Sequence, residues 1–242
     1  NLSQTAVSMA LNNKPGVSTQ TRQLVLQTAE KYGYDFSRLS MKKNQSGDIY
    51  FIIYRAHNAI VNYMPIFSEL TDGIEQECRK NNFRLKTFQI YEKTDNFQKC
   101  IEDLRISGCI GIILLGTEIT ASACQQFLDL GVPMILLDSY LDSVDCSSVL
   151  INNSQGSYLA TNYLIDRYNT QPGHLCSSYK IQNFIERKNG FNRAIREHGM
   201  SVGKSVIHEL SPSIDGAFFD MLEIIDRGDD LANCYFADND LI

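Results

Sequence analysis

The chain is predicted to be an α/β protein: a two-subdomain core built on parallel sheets, with a small all-α head before it. Three observations lead there. From Ile49 onward, short apolar runs alternate with helix-periodic stretches of about a dozen residues, the pattern of βαβ units with helices on both faces of a parallel sheet. Ahead of them, two short helical segments flank Asn13-Lys14-Pro15-Gly16, a helix-breaking run. Charge divides at nearly the same place: residues 1–43 carry a net +4, and the remainder −10 of the chain's overall −6. A basic head on an acidic body points to a head that meets a polyanion.

The first helix is expected over "SQTAVSMALN", with Ser3 as its N-cap. Ala6, Val7, Ala10 and Leu11 fall on one face, and Gln4, Thr5, Ser8, Met9 and Asn12 on the other. Ser18 caps the second helix, "TQTRQLVLQTAEKY", whose inner face takes Val25, Ala29 and Tyr32, with Gly33 in the C′ position. The polar face of the first helix is short-chained and uncharged. Such a face suits close approach to base edges and phosphates, where a merely solvated face would carry more Glu and Lys.

In the body, "IYFIIY", "FRLKTFQIY", "CIGIILLG", "PMILLDS" and "SVLINN" read as strands. "IFSELTDGIEQECRKN", "NFQKCIEDLRISG", "TASACQQFLDLG" and "SQGSYLATNYLIDRY" read as the helices between and after them. Ligands of open parallel sheets sit beyond the carboxyl ends of the strands. The candidates are therefore Tyr54–Asn58, Gly116–Glu118 and Asp138–Ser139, with Asp138 the sharpest; there it either cups a ligand hydroxyl or caps its own loop.

Composition is that of an ordinary globular protein, 43 % apolar and 21 % charged in 242 residues. The seven Cys are odd in number and show no C-x-x-C pair, which suits buried thiols in a reducing compartment and a cytoplasmic location. No apolar run is long enough to span a bilayer, so no membrane partner is expected. The four His (57, 174, 198, 208) are dispersed, so no metal site and no cofactor is expected. G-x-S-x-G, P-loop and H-E-x-x-H motifs are absent, and no catalytic residues and no enzyme are expected.

"TAVSMALNNKPGVSTQTRQLVLQTAEKYGY" resembles the DNA-binding head of the LacI/GalR family of bacterial regulators, with Val7, Ser8, Leu11, Asn12, Val17, Ser18, Thr21, Arg22, Val25, Ala29, Gly33 and Tyr34 matching its pattern. The body is similar to the same family's effector core, of periplasmic-binding-protein type I fold. The similarity runs through "PIFSELTDGIE", "GIILLGT", "GVPMILLDS", "ERKNGFNRAIREHGM" and "CYFADNDLI". The resemblance implies a helix-turn-helix head (1–35), a hinge (36–47), and N- and C-terminal effector subdomains (48–166 and 167–242). It also implies a further head helix before Asn1 and about a quarter of the family's chain after the N-D motif.

Carried over by residue, the resemblance puts Gln4, Thr5 and Met9 at base-reading positions, with Ser3, Ser8 and Asn12 on phosphates or capping. Leu39 or Met41 becomes a minor-groove wedge, unless 36–47 is a plain basic linker. Tyr63 and Phe67 become effector-cleft walls, Asp138, Arg187 and Asp240 its polar clamps, and Phe191 packs beneath. Where the family has V-D-N, this chain has Ile151-Asn152-Asn153, which implies a changed carboxylate contact. The implied function is a homodimeric, operator-binding repressor controlled by a sugar or sugar phosphate. The alternative is a solute-binding protein of the same core fold.

Overall fold

A computed structural model describes residues 2–11, 16–34, 47–56, 66–93 and 95–242. The chain divides into two compact units, residues 1–46 and 47–242.

In the first unit, α1 (Gln4–Leu11) begins under Ser3, whose Oγ accepts from the Ala6 N–H at 3.2 Å. After the turn, α2 (Thr19–Lys31) begins under Ser18, whose Oγ accepts from the Thr21 N–H. It ends at Gly33 with φ +66°, where Gly33 and Tyr34 N–H groups return to the Glu30 and Ala29 carbonyls. That left-handed ending is the one the glycine permits at no steric cost. Ala10 and Val25 are buried between the helices. Tyr32 departs from expectation: it is 79 % exposed and only flanks the apolar groove that Val7, Leu11, Leu24 and Val25 line.

The second unit holds two sheets. In the first lobe, β1 (Asp48–Arg55), α3 (Ile66–Lys80), β2 (Arg84–Tyr91), α4 (Phe97–Ile106), β3 (Gly111–Leu115), α5 (Ala121–Leu128), β4 (Met134–Leu137) and β5 (Ser147–Val149) follow in order. Their strands form a wholly parallel sheet ordered β2-β1-β3-β4-β5. The apolar run of β1 is explained by burial on both faces. Ile52 and Tyr54 enter one core with Ile90, Leu114, Phe127 and Leu136, while Phe51 and Ile53 enter another with Phe67, Leu115 and Leu137. Each such side chain contributes about 1.5–3 kcal/mol through its removal from water.

The second lobe contains α6 (Asn153–Tyr168), β6 (Gly173–Ser177), α7 (Gln182–Glu197), a 3₁₀ turn (Val202–Lys204), β7 (Ile207–Leu210), α8 (Ile214–Arg227) and β8 (Tyr235–Ala237). Its sheet is parallel and ordered β7-β6-β8. The expected boundary at 166 places α6 in the first lobe, but α6 packs along α7 and against β8. The change of lobe therefore falls between β5 and α6. The glycine of "ERKNGF" has its reason here: a Cβ on Gly190 would lie 2.0 Å from Ser157 Oγ and 2.2 Å from the Ser154 carbonyl oxygen. Only a residue without a side chain lets α7 come so near α6.

All seven cysteines are free; Cys78, Cys109, Cys124 and Cys176 are buried, and Cys100, Cys146 and Cys234 half-buried. Burial pushes the thiols of Cys124 and Cys176 up to about 11, which keeps them protonated and unreactive. No helix among the described residues is long and apolar enough to cross a membrane.

Candidate functional site: a cleft between two lobes

A cavity of about 210 Å³ opens where the strand ends of the first lobe face the start of α7. Asp138 follows β4 directly and stands at φ +60°, a left-handed conformation costly for most residues and tolerated by Asp. This turn aims its carboxylate across the cleft. Oδ2 accepts from Thr117 Oγ1 at 2.7 Å, and Oδ1 from Asn183 Nδ2 at 3.1 Å; the same amide also reaches the Asp138 carbonyl at 3.3 Å. Both alternatives for Asp138 are thereby resolved at the level of contacts: its carboxylate joins side chains of two lobes. Burial pushes the Asp138 carboxyl up, partly opposed by the Thr117 and Asn183 hydrogen bonds and the Arg187 charge.

Arg187 enters from α7. Its Nε donates to Asn153 Oδ1 at 2.8 Å, its Nη1 donates to the Asp238 carbonyl, and its guanidinium lies 5.6 Å from the Phe184 ring centroid. Burial lowers its pKa, and the charges of Asp238, Asp138, Asp240 and Glu186 counter this. Asn153 holds the arrangement at a second point by donating to Glu186 Oε2 at 3.2 Å. Behind the cleft, Asp238 accepts from the Ser177 N–H at 2.8 Å and pairs with His174 Nε2 at 2.8 Å; all three residues are buried. The His174 ring stacks on Phe191, with centroids 5.0 Å apart.

The expected residues are distributed unevenly. Phe67, Asp138 and Arg187 line the cavity, as does Thr117 from the Gly116–Glu118 stretch. Glu118 is buried and its Oε2 accepts from the Ala56 N–H at 2.8 Å, tying two strand ends together. Tyr54 lies in the sheet core, where burial raises its hydroxyl pKa. Phe191 is fully buried in the second-lobe core and does not line the cavity. Asp240 is exposed and outside the lining; it reaches Arg187 through its charge alone. Tyr63, together with His57 and Asn58, lies outside the described residues.

The Asn152 departure proves to concern a helix cap: its Oδ1 accepts from the Gln155 N–H at 3.0 Å at the start of α6, and it does not line the cavity. Asn and Asp cap equally well. Asn183, His174 and Asp238 were not anticipated. Asn183 carries no motif, and the His174–Asp238 pair joins residues 64 positions apart, so no local pattern announces it.

On α1, Ser3 caps, Gln4, Thr5 and Ser8 are exposed, and Met9 is half-buried. Met9 Sδ lies 3.7 Å from where a Cβ on Gly16 would stand. Asn12, Leu39 and Met41 lie outside the described residues. Among the described residues, no group of three or more His, Cys, Asp or Glu could hold a metal ion.

Two parallel-sheet lobes, joined by polar side chains across a cavity at their facing strand ends, define a two-lobed ligand-binding core. Residues 52–242 match the family described as periplasmic binding proteins and sugar binding domain of the LacI family, and the chain belongs to that family. It is 27 % identical to the HTH-type transcriptional repressor PurR of Vibrio vulnificus over 89 % of this chain and 64 % of that protein. It is 24 % identical to the HTH-type transcriptional regulator GalS of Salmonella typhimurium over 99 % of this chain and 69 % of that one. Among solved structures, a transcriptional regulator CelR–cellobiose complex superposes with TM-score 0.68 at 20 % identity, covering 98 % of this chain and 70 % of that one. The chain thus spans somewhat under two thirds of the length of the PurR relative.

Proposed function

We propose that this chain is the larger part of a transcriptional repressor whose hold on operator DNA is set by a small molecule bound in the cleft. The observation that carries the reading is the Asn183–Asp138 link, because it joins the two lobes at the wall of a cavity large enough for a ligand. A ligand that favours one arrangement of the lobes shifts the population toward it, and with it the DNA-binding state. In this reading residues 1–35 supply the DNA-reading head, with Gln4, Thr5 and Met9 toward bases, and 36–47 the hinge. Residues 48–242 supply the effector core, with Phe67, Asp138 and Arg187 on the ligand and Tyr63 and Asp240 at its margins. The named regulators PurR and GalS support it.

The repressor works as a homodimer on a pseudo-palindromic operator. Support comes from α8, where Ile214, Phe218, Leu222 and Ile225 form an exposed apolar stripe, with Phe219 beside it. The protein acts in the cytoplasm and has no catalytic role.

The test is operator binding by the full-length gene product, followed by fluorescence anisotropy at fixed salt with and without small molecules. Sequence-specific binding that changes with one compound is expected. Ligand binding without any sequence-specific DNA binding would establish the solute-binding alternative instead.

A further inference from the structure

Thirteen described residues line the cleft, and nine of them are apolar: three from α3 (Ile66, Phe67, Leu70), three at 149–151, and Leu137, Ile181 and Phe184. The polar ones are Thr117, Asp138, Asn183 and Arg187. The first three are hydrogen-bonded to one another, and the Arg187 charge acts on Asp138, so the polar groups form one connected cluster.

The charge balance around that cluster is lopsided. One cation, Arg187, is within electrostatic reach of four carboxylates: Asp238, Asp138, Asp240 and Glu186. Arg55 and Glu118, buried at the neighbouring strand ends, add one charge of each sign. Residues 57–65 read HNAIVNYMP and bring no Lys, Arg, Asp or Glu. Lys180 and Lys188 are exposed and line a separate small pocket with Glu209 and Asp238.

Arg187 is also partly committed. Of a guanidinium's five N–H donors, Nε and one on Nη1 already serve Asn153 and the Asp238 carbonyl. A bidentate grip on an oxyanion needs two parallel donors, and both forks that include those nitrogens are interrupted. An incoming anion would meet an engaged cation and a surplus of like charge. An uncharged ligand meets no such penalty, and the lone pairs left on Asp138 remain to accept its donors.

We infer that the cleft takes an uncharged ring-shaped small molecule, apolar over its faces, with donor and acceptor groups gathered on the one edge that meets Asp138, Asn183 and Arg187, and that it rejects anionic ligands such as sugar phosphates. The inference rests on the effector-site reading above and narrows it.

The test is ligand-observed NMR and thermal shift on the full chain with matched sets: hexoses, aryl glycosides and uncharged heterocycles; hexose phosphates and inorganic phosphate; and hexosamines. Binders from the uncharged set that compete with one another are expected, tightest where an apolar face is present. Hexose phosphates should bind at least ~10-fold more weakly than their parent hexoses. Ile151→Lys, which adds a cation to the exposed cleft wall, should narrow that gap without altering the fold seen by circular dichroism. A hexose phosphate that binds as tightly as its parent, in competition with the uncharged binders, would overturn the inference and leave the effector site standing. A folded protein that binds none of the sets would overturn the effector-site reading itself.

Discussion

In the first lobe the sheet is sealed on both faces by aliphatic and aromatic side chains, with Ile52, Leu114, Phe127 and Leu136 almost wholly removed from water. The second lobe, with three strands, keeps polar groups at its centre. Asn153, Ser157, Thr161, His174 and Asp238 are all buried, and its apolar clusters are smaller and separate. The difference shows what each lobe brings to the cleft. The first offers an apolar wall with a single aimed carboxylate. The second offers an amide and a guanidinium held in place by a buried hydrogen-bond network. One lobe is stabilised by the non-directional hydrophobic term, the other by geometry that fails when one member is lost.

Phe127→Ala should produce the largest change, about 3–5 kcal/mol of lost stability read by urea denaturation, because it empties a fully buried site. A cost below ~1 kcal/mol would mean that the first-lobe core is not close-packed. Asp238→Ala comes next, at roughly 2–4 kcal/mol, since it leaves the His174 ring and the Ser177 N–H buried without their partner. Native-state hydrogen exchange should show the second lobe opening first in this variant; uniform loss of protection across both sheets would erase the contrast drawn here.

Gly190→Ala should cost about 1–3 kcal/mol by forcing α6 away from α7. A Tm unchanged from the parent would show that the helices yield. The smallest effect belongs to Asp138→Asn and is best seen as a pH profile. Burial raises the native pKa of Asp138 above its ordinary 3.8, so its contribution to stability is fullest below that value and is lost as pH rises through the native pKa. The variant's Tm should therefore stay flat where the parent's falls on going from acid toward neutral pH. Parallel profiles would place the titration elsewhere.

Much of this architecture is written in the chain's local pattern. The run Ile49–Tyr54 reads as a strand buried on both faces because each residue needs an apolar neighbour whichever side it takes. Asp138 and Arg187 were legible for different reasons, one from its place at a strand's carboxyl end and the other from the "ERKNGF" resemblance. Asn183 was not, because an amide at a helix start has many uses and only the facing lobe reveals this one. The boundary near 166 failed since α6 looks like any crossover helix until its packing on α7 is seen. Asn152 looked like a lost charge at the site and is a cap, a distinction that depends on which way one side chain turns.

The passage from one sheet to the other runs through Leu150, Ile151 and Asn152, and Asn153 stands directly after it. Its side chain donates to the Ile151 carbonyl at 3.4 Å and to Glu186, and accepts from Arg187. In mechanical language, Arg187 is pinned beside the fulcrum. A rotation of the lobes about this crossing displaces the guanidinium little and sweeps the far ends of both lobes through a longer arc. The lever is long on the side away from the ligand, so a small adjustment around Asn153 is read out as a large one at the periphery.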